Sequence, residues 1–542
     1  MHHNKHKESL QTGPSRPGGR LSASVCMALG GGLWLVASLI LALWVGRNEP
    51  LPFSAPHRAK AGNSAQAWHD GHANPASRAA AAGNEAPMQA RLEALDRLVE
   101  AVLPQTLPTA RWQRELTASV FTEAPGDAVA LGGRTEQAQP AAGSAQGVIG
   151  HPAPAASGGA QETPMVRVYT VTGPCAPLRL GLGLLDKLVP PSAAVLAERK
   201  KIANENRPAA EALAEAAGRG QGAGSEHGTR FPLTDTGLRS TELAGRTSLP
   251  DVAELADLAD GKIRLAWTDA GHLDIFDNGR LTHRFIFPGR EAQLADLARP
   301  LPNPALVLVI DDMGQSLNAA ESLAALPYPV TLAIWPQAPH ALATADLAAQ
   351  RRLDVMAHVP MEPLPRPDGK RPQPGQGALW TGMQPDQLRA ALKDNLSALP
   401  SAIGLNNHMG SAFTSNMASC RLLCAWLEGM GFFVLDSLTT PDSHLGQQAH
   451  SLGMVSATRD VFLDTRRQTP AILEALDHAA AKARIKGYAV AIGHPYDETL
   501  RALRTWQDKA QVALVPLRRL VWHLAQKDAQ EKTAAALKTA TQ

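Results

Sequence analysis

Seven short apolar runs succeed one another between residues 305 and 492, with helix-like segments between them. They lie at 305–310, 330–334, 354–357, 402–405, 432–435, 461–463 and 488–492. The pieces 318–325, 340–351, 387–397, 417–429 and 471–485 separate them as helices or loops. Strands that alternate with helices, and that are apolar continuously rather than at every second residue, belong to a parallel sheet covered by helices. Seven such units predict an α/β fold, a distorted (β/α)7-type barrel with parallel strands over 303–527. Helices at 497–508 and 515–527 would close it, and 528–542 reads as a tail.

The residues at the end of each run carry the chemistry. The first run ends in Asp311 and Asp312, the third in His358, and the fourth leads to Asn406, Asn407 and His408. The fifth ends in Asp436, the sixth in Asp464, and the seventh leads through Gly493 to His494. In a parallel barrel all strand C-terminal ends share one face, and that face hosts the active site. One carboxylate and two imidazoles, from Asp312, His358 and His408, suit a divalent ion, most simply Zn²⁺, and leave positions open for water and substrate. Asp311 diverges from Asp312 because successive side chains on a strand alternate, and it can serve as general base. His494 can protonate a leaving group, since imidazole changes charge near neutrality.

The segments LVLVIDDMGQS, VTLAIWPQAPHA, VMAHVPMEP, AIGLNNHMGSAFT, FFVLDSLTTPDS, RDVFLD and AVAIGHP resemble the divergent polysaccharide deacetylase family, its YibQ-like branch. The resemblance runs from about residue 303 to about 525 and leaves everything upstream uncovered. It implies a barrel related to carbohydrate esterases that remove N- or O-acetyl groups. Their TFDD motif, supplying base and metal ligand, corresponds to Ile310, Asp311 and Asp312. Their late-strand general acid corresponds to His494. Those relatives carry two histidines four apart on one motif, whereas this chain has only His408 there, so His358 is the expected second ligand. Glu362, Asn407, Ser411 and Asp436 are candidates for the substrate cleft or the surrounding shell. Asp464 is expected to orient His494 or Asp311. Trp335 and Trp380 fit either sugar stacking or the core.

Upstream, residues 21–46 contain no charged residue, more than the about 20 positions that span a bilayer. Lys5, Lys7, Arg16 and Arg20 precede them, which favours a cytoplasmic N-terminus at 1–20 and a single uncleaved inner-membrane anchor. The remainder is then periplasmic. Residues 47–164 read as a low-complexity linker holding one amphipathic helix at 88–103. Residues 165–290 read as a small α+β region. It has a strand at 165–171, a helix over 191–217, a polar loop at 221–229 and a strand meander at 263–267, 272–276 and 281–287. Lys and Arg (52) nearly balance Asp and Glu (50), which excludes a polycation built for nucleic acid. Cys26, Cys175, Cys420 and Cys424 form no disulfide framework. The function expected is a membrane-anchored, metal-dependent hydrolase deacetylating an envelope or exported polysaccharide. The alternative is a catalytically inactive carbohydrate-binding or scaffold module on the same barrel.

Overall fold

The computed structural model describes residues 75–118, 165–202 (without 190 and 193), 258, 262–506 and 512–540. The expected anchor at 21–46, most of the linker and the 221–229 loop lie outside the described residues. Among the described residues no helix is long and apolar enough to cross a membrane.

The first described part is a five-stranded sheet with two helices. Helix α1 (Pro75–Thr106) contains the expected 88–103 helix and buries Leu95, Leu98, Val99, Val102 and Leu103, an i, i+3, i+4 stripe. Strands β1 (Arg111–Ala118) and β2 (Met165–Thr172) come next, then α2 (Pro177–Leu188). The meander β3 (Ile263–Trp267), β4 (Leu273–Asp277) and β5 (Arg280–Ile286) completes the sheet in the order β1-β2-β5-β4-β3. The β4–β5 turn places Asn278 at φ 50° and Gly279 at φ 78°, as an Asn-Gly hairpin requires.

One expectation fails in this part, and one helix is unforeseen. Residues 111–118 are not linker but a strand, because they pair along their whole length with β2. Helix α2 is not anticipated by the sequence pattern, and the helix expected over 191–217 is described only at 194–202. The sequence of α2, PLRLGLGLLDKL, holds two glycines that disfavour helix on propensity alone. Packing overrides this. A Cβ at Gly183 would sit 2.5 Å from the Thr106 side chain, and one at Gly181 3.1 Å from Trp522.

The second part alternates strands and helices from β6 (Ala305–Met313) to β14 (Ala513–Leu514). Its strands are β7 (Thr331–Ile334), β8 (Asp354–Met361), β9 (Gly404–Met409), β10 (Phe433–Asp436), β11 (Ser456–Thr458), β12 (Val461–Phe462) and β13 (Tyr488–Gly493). All pair in parallel, in the order β11-β10-β9-β8-β7-β6-β13-β12, with β14 beside β6. The edge strands β11 and β12 are joined by residues 459 and 460 alone. Arg459 N–H donates to Asp436 O (3.0 Å) and Asp460 N–H to Val490 O (2.8 Å). The sheet therefore curls until two residues span its open seam. The seven expected strands are present; β11 and β14 are additional.

Alternation sorts the strand residues. Leu306, Leu308, Ile310, Val355, Ala357 and Leu405 face the surrounding helices. Val307, Val309, Met356, Phe433, Leu435, Val490 and Ile492 face inward and share one core with α1, α2 and the final helix, α3 (Leu517–Ala540). The region at 165–290 is thus continuous with the barrel, not a separate body. It covers the N-terminal ends of the strands. Arg179 of α2 lies 3.8 Å over the Phe432 ring and donates to Met430 O, just ahead of β10. Arg518 of α3 binds Asp354, the first residue of β8 (3.0 Å), and Asp296 (2.9 Å). The C-terminal mouth is left for function.

Candidate metal and acid–base site

The same alternation decides which polar residues reach the mouth. Asp311 continues the inward row of Val307 and Val309. His358 is two residues past Met356, His408 two past Asn406, and Asp464 two past Phe462. His494 continues the row of Val490 and Ile492. Asp312 would face outward, but the β6–β7 register shifts between Ile310 and Met313, and Asp312 adopts φ 56°. This bulge turns its carboxylate back to the mouth.

There Asp312 Oδ1 lies 2.9 Å from His408 Nδ1 and 3.2 Å from His358 Nε2, and the two nitrogens are 3.1 Å apart. Tetrahedral ligands at about 2.0–2.1 Å from zinc are about 3.3 Å from one another. Asp312 Oδ1 is buried yet in hydrogen-bond geometry with neither ring. Three potential ligand atoms at these spacings fit a divalent ion once His358 gives up its proton, and Asp312, His358 and His408 are the group among the described residues that could hold one.

Electrostatics follow from this crowding. Burial raises the pKa of Asp312, but the adjacent imidazoles of His358 and His408 outweigh it and hold the carboxyl well below its usual range. Burial disfavours protonated His358, yet Asp311 and Asp312 reverse this and lift it to about 9. Asp311 is buried and moves upward, burial prevailing over the cationic neighbours His358 and His494 and the amide of Asn406. Burial also works against protonated His494, and Asp464 outweighs it, so His494 is raised.

Asn406 joins these groups. His358 Nδ1 lies 2.9 Å from its Oδ1, and its Nδ2 donates to Asp311 Oδ1 (2.8 Å) and Ser437 Oγ (3.1 Å). His358 thereby keeps Nε2 for the ion. Asp464 fixes His494 in the same way. Oδ1 meets His494 Nδ1 at 2.9 Å, while Oδ2 accepts the His494 backbone N–H (2.5 Å) and the Thr499 hydroxyl (2.9 Å). Half-buried Trp335 stacks on His408 at 5.0 Å between centroids, and Gly375 leaves room for the Trp335 ring.

Four expected cleft or shell residues are used elsewhere. Asn407 faces outward and holds the loop after β10, accepting from Ser437 N–H (2.9 Å) and donating to Met409 O (2.8 Å). Asp436 also faces outward and accepts from Leu438 N–H (2.8 Å), Ser443 Oγ (2.8 Å) and Gly446 N–H (3.2 Å). Glu362 is buried and taken up by Arg371 and Thr381, closing the 362–381 loop. Ser411 accepts from Leu364 N–H (2.9 Å) in that loop. Asn406 and Ser437 are not among the expected site residues. Counting by twos from His408 and Leu435 finds both.

The fold and mouth together define a helix-covered parallel α/β barrel with an Asp–His–His cluster that could hold a metal ion, beside a buried carboxyl and a carboxylate-held imidazole. The chain belongs to the divergent polysaccharide deacetylase family, whose model matches residues 308–521. It is similar to the uncharacterized protein YibQ of Escherichia coli (strain K12), at 32% identity over 224 residues, 40% of this chain and 69% of that protein. An uncharacterized protein of Haemophilus influenzae is 33% identical over 199 residues, 37% of this chain and 69% of that one. Among solved structures, the uncharacterized protein ATU2773 from Agrobacterium tumefaciens C58 is similar at 21% identity and a TM-score of 0.38, covering 40% of this chain and 89% of that chain.

Proposed function

We propose that this chain is a metal-dependent hydrolase that removes acetyl groups from an envelope or exported glycan. Residues 21–46 anchor it in the inner membrane and the barrel works on the periplasmic side. The observation that carries the reading is the triangle of Asp312, His358 and His408 atoms 2.9–3.2 Å apart, adjacent in sequence and space to Asp311. Zn²⁺ is the ion that this donor set favours. When bound, such an ion polarises a carbonyl oxygen and acidifies water. Asp311, with its upward-shifted carboxyl, accepts the proton of the attacking water. His494, its Nδ1 held by Asp464, donates from Nε2 to the departing nitrogen or oxygen. The C–N or C–O bond breaks, giving acetate and a free amine or hydroxyl.

The test is metal analysis of the purified full chain, then acetate release from acetylated glycans. Near-stoichiometric zinc or a related ion is expected, reduced in H358A and in H408A. D311N is expected to keep the metal and lose about 10²–10⁴-fold in turnover. A folded protein that neither contains nor takes up zinc refutes the reading. Bound metal with no turnover on any acetylated glycan leaves the inactive binding module.

A further inference from the structure

His494 does not stand alone beside Asp464. Its ring is stacked near-parallel with Phe462 (centroids 6.2 Å apart, planes at 21°) and with Tyr496 (5.4 Å, 26°). Each outer ring carries a guanidinium. Arg459 lies 3.7 Å from the Phe462 centroid and Arg467 3.6 Å from the Tyr496 centroid. These are cation–π separations. Both arginines are also tethered. Arg459 donates to Ser437 O (2.7 Å) and Leu438 O (2.9 Å), and Arg467 donates to Tyr496 Oη (2.5 Å). Pairwise contacts thus run from Arg459 through Phe462, His494 and Tyr496 to Arg467, with the imidazole as the middle member.

We infer that Tyr496 and Arg467 are positioning residues for His494. With Phe462, they cover the ring so that Nε2 is left open and the Nδ1–H···Asp464 bond is shielded from water. A singly tethered imidazole can swing about χ1 and χ2 and exchange its proton with solvent. An imidazole held at Nδ1 and stacked against two aromatic rings is restrained from both. Phe462 is backed by Arg459 within the seam, whereas Tyr496 belongs to the short connection after β13. Arg467 holds the solvent side of Tyr496, so that end of the series is the adjustable one.

The inference rests on reading His494 as the proton donor, but its test does not need turnover. In the full chain, the Nδ1–H proton of His494 is observed as a downfield NMR resonance, assigned by its loss in H494Q. Wild type is expected to show a slowly exchanging signal. In Y496A, exchange is expected to quicken by about tenfold or more, as opening a protected group to solvent does. R467A is expected to move the same way by less, and Y496F, which keeps the ring, to stay close to wild type. Arg467 is exposed, so R467A does not disturb the core. If Y496A and R467A both leave the resonance and its exchange unchanged, or if Y496F behaves as Y496A does, the inference fails. If the resonance behaves as expected but no acetate is released from any glycan, the positioning stands and the hydrolase reading fails.

Discussion

Replacing Asn406 by leucine separates the metal pocket from its support without touching an ion-facing atom. Asn406 is fully buried, and its amide is the common partner of His358, Asp311 and Ser437, at 2.9, 2.8 and 3.1 Å. Leucine matches it in shape and supplies neither acceptor nor donor. His358 Nδ1–H then has no acceptor and Asp311 loses its neutral donor. Each orphaned buried polar group costs about 1–3 kcal/mol, so with two of them N406L should lose about 2–6 kcal/mol of stability. The lower part of that range applies in acid, because Asp311 without its amide partner takes up a proton more readily. The pocket should suffer separately. Loss of an outer partner of a metal-binding histidine typically weakens metal affinity by about 10–100-fold. Competition for Zn²⁺ against a chromophoric chelator measures the affinity, and thermal unfolding of the metal-free protein measures the stability. A folded N406L that binds zinc within twofold of wild type would show that Asn406 does not set His358, and the idea of a supporting amide would be wrong.

Three further outcomes rest on the same geometry. In metal-free protein His358 carries a proton up to about pH 9, so zinc binding at pH 7 should expel about one proton from it, fading as pH rises through about 9. Calorimetry in buffers of different ionisation enthalpy reads this directly, and pH-independent binding would contradict it. By the same sign, His358 stabilises the metal-free fold below about pH 6.5 and ceases to do so as pH rises through about 9, so denaturation midpoints should fall across that window and flatten in H358N. At the opposite end of the barrel, R518A strands buried Asp354 and should destabilise the fold by about 3–5 kcal/mol while leaving zinc affinity unchanged.

The parallel barrel is legible in the sequence because its strands are short, apolar and separated by helical spacing. The mouth is legible because Asp and His recur where those strands end. Three things are hidden, each for a physical reason. Helix α2 is hidden because its glycines argue against helix locally and become favourable only where Thr106 and Trp522 press close. Strand β1 is hidden because residues 111–117 are all exposed, Trp112 and Leu116 included, so it is an edge strand defined by its partner rather than by an alternating pattern of its own. Asn407 and Asp436 mislead because a place at a strand end is not sufficient: alternation sends them outward and brings in Asn406 and Ser437. Asp312 is the one residue for which alternation alone would mislead, since its inward turn depends on a left-handed bulge.

The single histidine on the β9 motif, where the resemblance leads one to expect two, is accounted for by strand register. On β8 and β9, His358 pairs with Asn406 and Pro360 with His408. His408 therefore stands one inward-facing position further along than the residue opposite His358, the diagonal spacing at which long or ring side chains on adjacent strands meet. Asn406, directly opposite, is then left to accept from Nδ1 of His358. The third donor comes from two strands away. Strand β7 places Ala333 in the inner row, and Trp335, at the same parity, stacks flat on His408. Two imidazoles from neighbouring strands and a carboxylate from the bulge of β6 thus achieve the convergence that a two-histidine motif would achieve within one segment. The cost is the left-handed backbone at Asp312, of order 1–3 kcal/mol for a residue other than glycine, which the Asp312 contacts with His358 and His408 offset.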